Sequence, residues 1–187
     1  AARTAWEELR ADFPALPARP TQSTLDDRDW KEAYKAHLRP WSVGDLHWVP
    51  VWQREEYVLP SGHTRLLFDA GLAFGTGDHP TTRLMAQRLL EFRAARGQKD
   101  FVEARVIDAG CGSGILGLSA ALLGCRGVFA FDRDPEAITV TRENLIANGL
   151  PPTAIELAHA GIEAALHGRD ADLLLASIQA DVLALHA

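Results

Sequence analysis

Only two cysteines occur in 187 residues, and their placement excludes two kinds of chemistry. Cys111 and Cys125 have neither the spacing of a zinc-ligand pair nor that of a redox C-x-x-C. Both are expected to be reduced, with Cys111 a small side chain filling the loop around it rather than a reactive thiol. The seven histidines are scattered, with no H-E-x-x-H and no cluster of metal-ligand type, so no metal is expected. No apolar run reaches the ~18 residues that a membrane span requires. Ala1-Ala2-Arg3-Thr4 begins no recognisable signal peptide, and a cytoplasmic protein without membrane contact is the expectation. Basic charge is also in deficit: the formal net charge is −6 and the pI is near 5.6. That balance argues against a general binder of phosphate backbones, and no direct nucleic-acid contact is expected. Internal repeats and low-complexity blocks are absent. With 47% hydrophobic residues, the chain can bury a core of one domain with a modest appendage.

The most informative segment runs Val106-Ile107-Asp108-Ala109-Gly110-Cys111-Gly112-Ser113-Gly114-Ile115-Leu116. Val106 and Ile107 close a short apolar run, while Ile115, Leu118 and Leu122 recur at helical spacing, so the glycines join a strand to a helix. Glycine suits this turn because the backbone must bend sharply and let a ligand approach closer than a Cβ allows. A second strand, Gly127 to Phe131, ends at Asp132, whose carboxylate can accept hydrogen bonds from both hydroxyls of a ribose. The spacing bears on which nucleotide. A dinucleotide fingerprint, G-x-G-x-x-G, needs a glycine where Ile115 stands, and no lysine follows to make a P-loop. The pattern is G-x-G-x-G, at Gly110, Gly112 and Gly114, which suits a ligand without a pyrophosphate.

At this point the chain resembles the S-adenosylmethionine-dependent methyltransferases. Gly71-Leu72-Ala73-Phe74-Gly75-Thr76-Gly77-Asp78-His79-Pro80-Thr81-Thr82 is similar to the pre-core loop of the ribosomal protein L11 methyltransferases. The resemblance extends back through Asp29-Trp30-Lys31-Glu32-Ala33-Tyr34, like that family's linker helix, and forward through Asp134-Pro135 and Asn144 to Gly149. Physically, Pro80, Thr81 and Thr82 start a helix whose free N–H groups suit an anionic group such as the cofactor's carboxylate.

Along the chain, residues 1 to 26 carry Pro14, Pro17 and Pro20, which disfavour a continuous helix; the stretch reads as a linker or the remnant of an N-terminal domain. Asp27 or Asp29 caps an expected helix to about Leu38, with Trp30, Tyr34 and Leu38 on one face. Leu46 to Trp52 and Thr64 to Phe68, separated by Pro60-Ser61-Gly62, read as a β-hairpin. Residues 27–68 are thus expected to form a linker helix and hairpin, with Trp41, Trp48 and Trp52 packed against the core rather than forming a substrate surface. From Thr81 the elements alternate as in a doubly wound α/β fold: a helix to about Ala95, a strand at Arg105 to Asp108, a helix from Ser113 to Leu123, and a strand ending at Asp132. Asp134 then caps a helix that closes near Asn148-Gly149, and strands follow at Ala154 to Ala158 and Asp172 to Ile178. Ligands bind at the carboxyl ends of such strands, where Asp108 to Gly110, Asp132 and Ser177 lie. The resemblance implies a Rossmann-like class I methyltransferase sheet over 69–187, incomplete because the family's C-terminal strands are missing.

The resemblance also implies a reaction, in which an amine nitrogen of a protein substrate, ribosomal protein L11, takes the methyl of S-adenosyl-L-methionine. By position, Phe74, Gly75, Thr76, Gly77 and Thr82 then contact the methionine part. Gly110, Gly112 and Gly114 underlie the cofactor, Asp132 holds the ribose, and Asp108 either orients the glycine loop or contacts the cofactor amino group. His79 and Ser177 are the candidate catalytic residues: His79 lines the methyl-transfer mouth or caps the loop, and Ser177 stands beside the methyl, where the family has Asn. Serine lacks the asparagine carbonyl. Two alternatives therefore stay open, a methyltransferase of the same lineage acting on another protein or a small molecule, and a non-catalytic nucleotide-binding module.

Overall fold

A computed structural model describes residues 2–19, 35, 38–71 and 79–185. The chain divides into two compact units, Ala1–Tyr34 and Lys35–Ala187. In the first, helix α1 (Ala2–Asp12) forms where no continuous helix was expected over residues 1–26. It stops short of Pro14, so the prolines limit the helix without abolishing it. The Trp6 indole N–H donates to the Pro17 carbonyl at 3.3 Å and folds the following turn back on α1. The expected helix from Asp27 to Leu38 lies, apart from Lys35 and Leu38, outside the described residues.

The second unit begins with a three-stranded sheet of β1 (Trp41–Val43), β2 (Leu46–Pro50) and β3 (Thr64–Phe68). Here the expected hairpin is corrected. β2 and β3 run parallel, with Leu46 opposite Thr64 and Pro50 opposite Phe68. The hairpin is instead β1–β2, with Val43 opposite Leu46 across Gly44-Asp45. Gly44 has φ +56, the left-handed backbone that tight two-residue hairpin turns need. Between β2 and β3 a short 3-10 turn (Val51–Gln53) reverses the chain, and Pro60-Ser61-Gly62 delivers it back to the same end of the sheet. Trp41 and Trp48 pack as expected, stacked at 3.9 Å, with the fully buried Trp48 donating its indole N–H to Ser119 Oγ at 3.0 Å, whereas Trp52, in the 3-10 turn, is only half-buried. The bond from Trp48 ties this sheet to the helix that carries Ser119.

The main sheet contains β4 (Arg105–Ala109), β5 (Gly127–Asp132), β6 (Glu156–His159) and β7 (Leu173–Ala176), all parallel, in the order β6-β5-β4-β7. Helices α2 (Pro80–Val102), α3 (Ile115–Leu122), α4 (Pro135–Ala147), α5 (Ile162–Leu166) and α6 (Ala180–Leu185) alternate with them. Because the strands from β4 to β6 step outward in one direction and β7 then returns to the far side of β4, right-handed crossovers place the connecting helices on opposite faces. Ile107, Ala109, Phe129 and Phe131 form one face, packed on Ala165, Ile162 and Leu166 of α5. Asp108 and Ala130 point to the other, toward α3, where Gly117 lets helix and sheet approach: a Cβ there would sit 3.2 Å from Asp108 Oδ2 and 3.6 Å from Ala130.

Local signals fix the helix ends. Asp134 accepts from the Glu136 N–H at 2.9 Å with Pro135 following as the first helical residue, and Gly149 has φ +67 just past the α4 C-terminus. Helix α2 outruns the expected end near Ala95 because it is two helices joined at Gly97, whose φ of 76 and ψ of 160 are not helical. β3 is held by α4 in a way that sequence periodicity does not announce. Asn144 Oδ1 accepts from the Asp69 N–H and its amide donates to the Asp69 and Ser113 carbonyls, at 2.8, 2.8 and 2.9 Å. One turn on, Asn148 accepts from the Leu67 N–H at 2.8 Å and donates to its carbonyl at 2.7 Å. Two side-chain amides thus bond alternate residues along the edge of β3 and just beyond its end. Among the described residues, no helix is long and apolar enough to cross a membrane.

Candidate functional site

Parallel strands that end in register bring their next residues side by side. Ala109 pairs with Phe131 on one side and Ala176 on the other, so Gly110, Asp132 and Ser177 emerge together at the carboxyl end of the sheet. The order β6-β5-β4-β7 reverses direction between β4 and β7, and a crevice opens at such a switch point. The crevice is a cavity of about 1020 Å³, lined among others by Gly110, Gly112, Asp132, Ser177, His79 and Thr81. It is large enough for a nucleoside with an amino-acid chain, being at the upper end of ordinary ligand pockets.

The glycine loop is built from left-handed residues: Gly110, Gly112 and Gly114 have φ of 67, 54 and 76. Close approach is required of it, but by the protein itself. A Cβ at Gly110 would lie 2.3 Å from Ile178 Cγ2, and one at Gly114 would lie 2.5 Å from Thr141 Cγ2. The loop is pinned by the Gly110 and Cys111 N–H groups, which donate to the Phe131 carbonyl at 2.9 and 3.0 Å. Thr141 Oγ1 donates to the Gly112 carbonyl at 3.0 Å. Cys111 is buried beside Thr141, and burial raises its thiol well above the ordinary range; it fills space, as expected of a small loop residue, and is no thiolate at neutral pH.

Asp132 is half-buried at the cavity rim. Its Oδ2 accepts from the Gly112 N–H at 2.9 Å and its Oδ1 from the Asp134 N–H at 3.0 Å. Each carboxylate oxygen has a second lone pair, so two acceptor positions remain for a vicinal diol. Asp108 differs in kind. It is buried behind the loop, outside the cavity lining, and accepts from the Gly117 N–H at 2.8 Å. Removal from water pushes its carboxyl up to about 7, against the pull of that hydrogen bond and helped by the charge of Asp132. Of the two roles weighed for Asp108, this position suits fixing the start of α3 behind the glycine loop.

At the opposite wall stand His79, Thr81 and Ser177. His79 caps α2: its Nδ1 accepts from the Thr81 N–H at 3.3 Å and lies 2.7 Å from Thr81 Oγ1. Thr81 Oγ1 in turn lies 3.1 Å from Ser177 Oγ, joining the first turn of α2 to the end of β7. Thr82, a candidate cofactor contact, is buried and does not line the cavity; its neighbour Thr81 does. Gly114 likewise faces Thr141 rather than the cavity. Phe74, Gly75, Thr76 and Gly77 lie outside the described residues.

The cavity also has a wall that the sequence reading missed, formed by Ala160, Gly161 and Ile162 after β6 and by Ile178 and Val182 after β7. Both follow carboxyl ends of parallel strands, and β6 pairs Asp132 with His159. The strand-end rule that located Asp132 would have located Ala160 and Gly161 too. No group of three or more metal-ligating side chains occurs among the described residues.

A parallel sheet with the strand order of the first half of a doubly wound fold, a left-handed glycine loop and a carboxylate one strand over place the chain in the Rossmann-like class I methyltransferase fold. Residues 4–186 match the family model of the ribosomal protein L11 methyltransferase (PrmA), and the chain belongs to that family. The ribosomal protein L11 methyltransferase of Symbiobacterium thermophilum is 42% identical over 160 residues, which are 85% of this chain and 48% of the relative. That of Heliobacterium modesticaldum is 40% identical over 166 residues, 87% of this chain and 48% of the relative. The crystal structure of the ribosomal protein L11 methylase from Lactobacillus delbrueckii subsp. bulgaricus superposes with a TM-score of 0.61 at 34% identity, over 75% of this chain and 66% of that one. The chain therefore spans about half the length of these curated relatives.

Proposed function

We propose that this chain is the cofactor-binding part of an S-adenosylmethionine-dependent N-methyltransferase acting on ribosomal protein L11. The observation that carries the reading is Asp132, held by two backbone N–H groups with an acceptor position left on each oxygen, at the mouth of a cavity floored by Gly110 and Gly112. Those residues fit the cofactor: Asp132 would hold its ribose hydroxyls, the loop its backbone, and the apolar wall at Ala160 and Ile162 its base. When bound, the cofactor supplies an electrophilic methyl on a sulfonium. The protein's contribution is then placement. Gly110 and Asp132 fix one partner, the cavity lets an acceptor nitrogen enter near Ser177, and holding the two at reacting distance accounts for most of the acceleration. An amine must enter without its extra proton, and a partly dehydrated cavity favours the neutral form.

Ser177 supports a second reading. A hydroxyl stands where the family resemblance leads one to expect asparagine, which favours a different acceptor, another protein or a small amine. Calorimetry with S-adenosylmethionine, followed by methyl incorporation from labelled cofactor into L11 and into total cell protein, separates the readings. Transfer to L11 supports the first; transfer only elsewhere supports the second. Binding of NAD without any response to S-adenosylmethionine would remove both.

A further inference from the structure

The contacts at the wall opposite Asp132 have a direction. The Thr81 backbone N–H can only donate, and it points at His79 Nδ1 at 3.3 Å, so Nδ1 is the nitrogen without a proton and the neutral ring carries its hydrogen on Nε2. With Nδ1 unprotonated, Thr81 Oγ1, 2.7 Å from it, reaches it by donating its own proton, the stronger arm of a three-centre bond in which the Thr81 N–H shares the single Nδ1 lone pair. With that proton committed, the 3.1 Å contact between Thr81 Oγ1 and Ser177 Oγ is made by the proton of Ser177. We propose that His79 and Thr81 are positioning residues that turn the Ser177 hydroxyl into a pure acceptor, its lone pairs facing the cavity.

The consequence is chemical selectivity. A freely rotating serine hydroxyl serves donors and acceptors alike, but one whose proton is held by Thr81 accepts only. It accommodates the N–H of a primary amine and repels a carboxylate, a carbonyl oxygen or a phenolate brought to the same place. It also orients the amine, since accepting one of its N–H bonds aims the nitrogen lone pair along a fixed line. The three residues come from two elements 96 positions apart in sequence, so the arrangement exists only where α2 and β7 meet.

This inference rests on the proposed reaction for its kinetic consequence but not for its geometry. The direct measurement needs no cofactor: long-range proton–nitrogen NMR of His79 in the protein at pH 8 reads which ring nitrogen is protonated. Protonation at Nε2 is expected, and protonation at Nδ1 overturns the proposal. For the consequence, Thr81→Val is compared with Thr81→Ser. Valine keeps the shape and removes the proton; serine keeps the hydroxyl. With a primary-amine acceptor, kcat is expected to fall about 10-fold in Thr81→Val, from loss of one hydrogen bond's directing effect, and to recover in Thr81→Ser. A Ser177→Asn background supplies its own carbonyl acceptor, so there Thr81→Val should cost little. Equal loss in both backgrounds, or equal rates for the valine and serine variants, overturns the positioning role. A wild-type protein that binds no S-adenosylmethionine would instead remove the proposed function and leave the tautomer measurement to decide the geometry.

Discussion

Asp108 offers the most quantitative test, because its carboxyl is moved by burial from an ordinary 3.8 to about 7. Between those values the folded protein keeps the Asp108 proton and the unfolded chain has lost it. The native state binds more protons throughout that window, so stability falls as pH rises from about 4 to about 7 and the full penalty stands above it. A difference of about three pH units corresponds to roughly 4 kcal/mol at 1.36 kcal/mol each, of which roughly 3 kcal/mol falls between about pH 5 and pH 8. Other groups titrate too, and Asp108→Asn isolates this one. Asparagine keeps an oxygen for the Gly117 N–H, now 2.8 Å from Asp108 Oδ2, and cannot ionise. Any cost of burying its extra N–H groups is the same at every pH and leaves the slope untouched. Urea unfolding followed by tryptophan fluorescence, at steps from about pH 5 to pH 8 and extrapolated linearly, should show the wild type losing roughly 3 kcal/mol relative to Asp108→Asn. Parallel stability curves for the two proteins would refute the assignment: Asp108 would then be ionised in the folded protein across the range, as it is in the unfolded chain.

Asp132→Ala removes the acceptor that the ribose reading requires, and calorimetry should show S-adenosylmethionine affinity lower by about 1.5–3 kcal/mol, or roughly 10- to 100-fold; an unchanged dissociation constant would take Asp132 out of the site. Asn144→Ala removes the amide that accepts from the Asp69 N–H and donates to the Asp69 and Ser113 carbonyls, and should destabilise the protein by about 3 kcal/mol or more in denaturant unfolding. A loss below about 1 kcal/mol would mean water replaces the amide. Gly110→Ala puts a Cβ 2.3 Å from Ile178 Cγ2 at a φ of 67; the left-handed backbone alone costs about 1–2 kcal/mol, and a thermal midpoint equal to wild type would show that the loop relaxes freely.

How far the fold could be read beforehand depended on the range of the signal. Asp134-Pro135 and Asn148-Gly149 bounded α4 because capping is settled within a few residues. Gly110, Gly112 and Gly114 announced left-handed backbone, and the two β-rich runs on either side of α3 placed Asp132 at a strand end. Gly44-Asp45 is a hairpin signal of the same local kind, a glycine-containing two-residue turn between apolar runs, and it is the one the sheet uses. Pro14 and Pro17 bar a continuous helix through residues 1–26, and α1 ends at Asp12 ahead of them; they say nothing against a helix over the residues that precede them.

What only the tertiary structure decided was direction, face and partnership. β2 and β3 have the same composition whether they run parallel or antiparallel, and the choice rests on hydrogen bonds between residues such as Leu46 and Thr64, which no local pattern encodes. Adjacent threonines are equivalent as helix starters, yet α2 packs so that Thr82 is buried and Thr81 reaches Ser177. Asp108 and Asp132 look alike as carboxylates closing two strands. One is enclosed by α3 and raised to about 7; the other meets the cavity with its amide donors. The sequence by itself determined the family and the local turns because those depend on residue type and short spacing. The fold decided which side chains share a cavity because burial and long-range hydrogen bonds exist only once the strands and helices have packed.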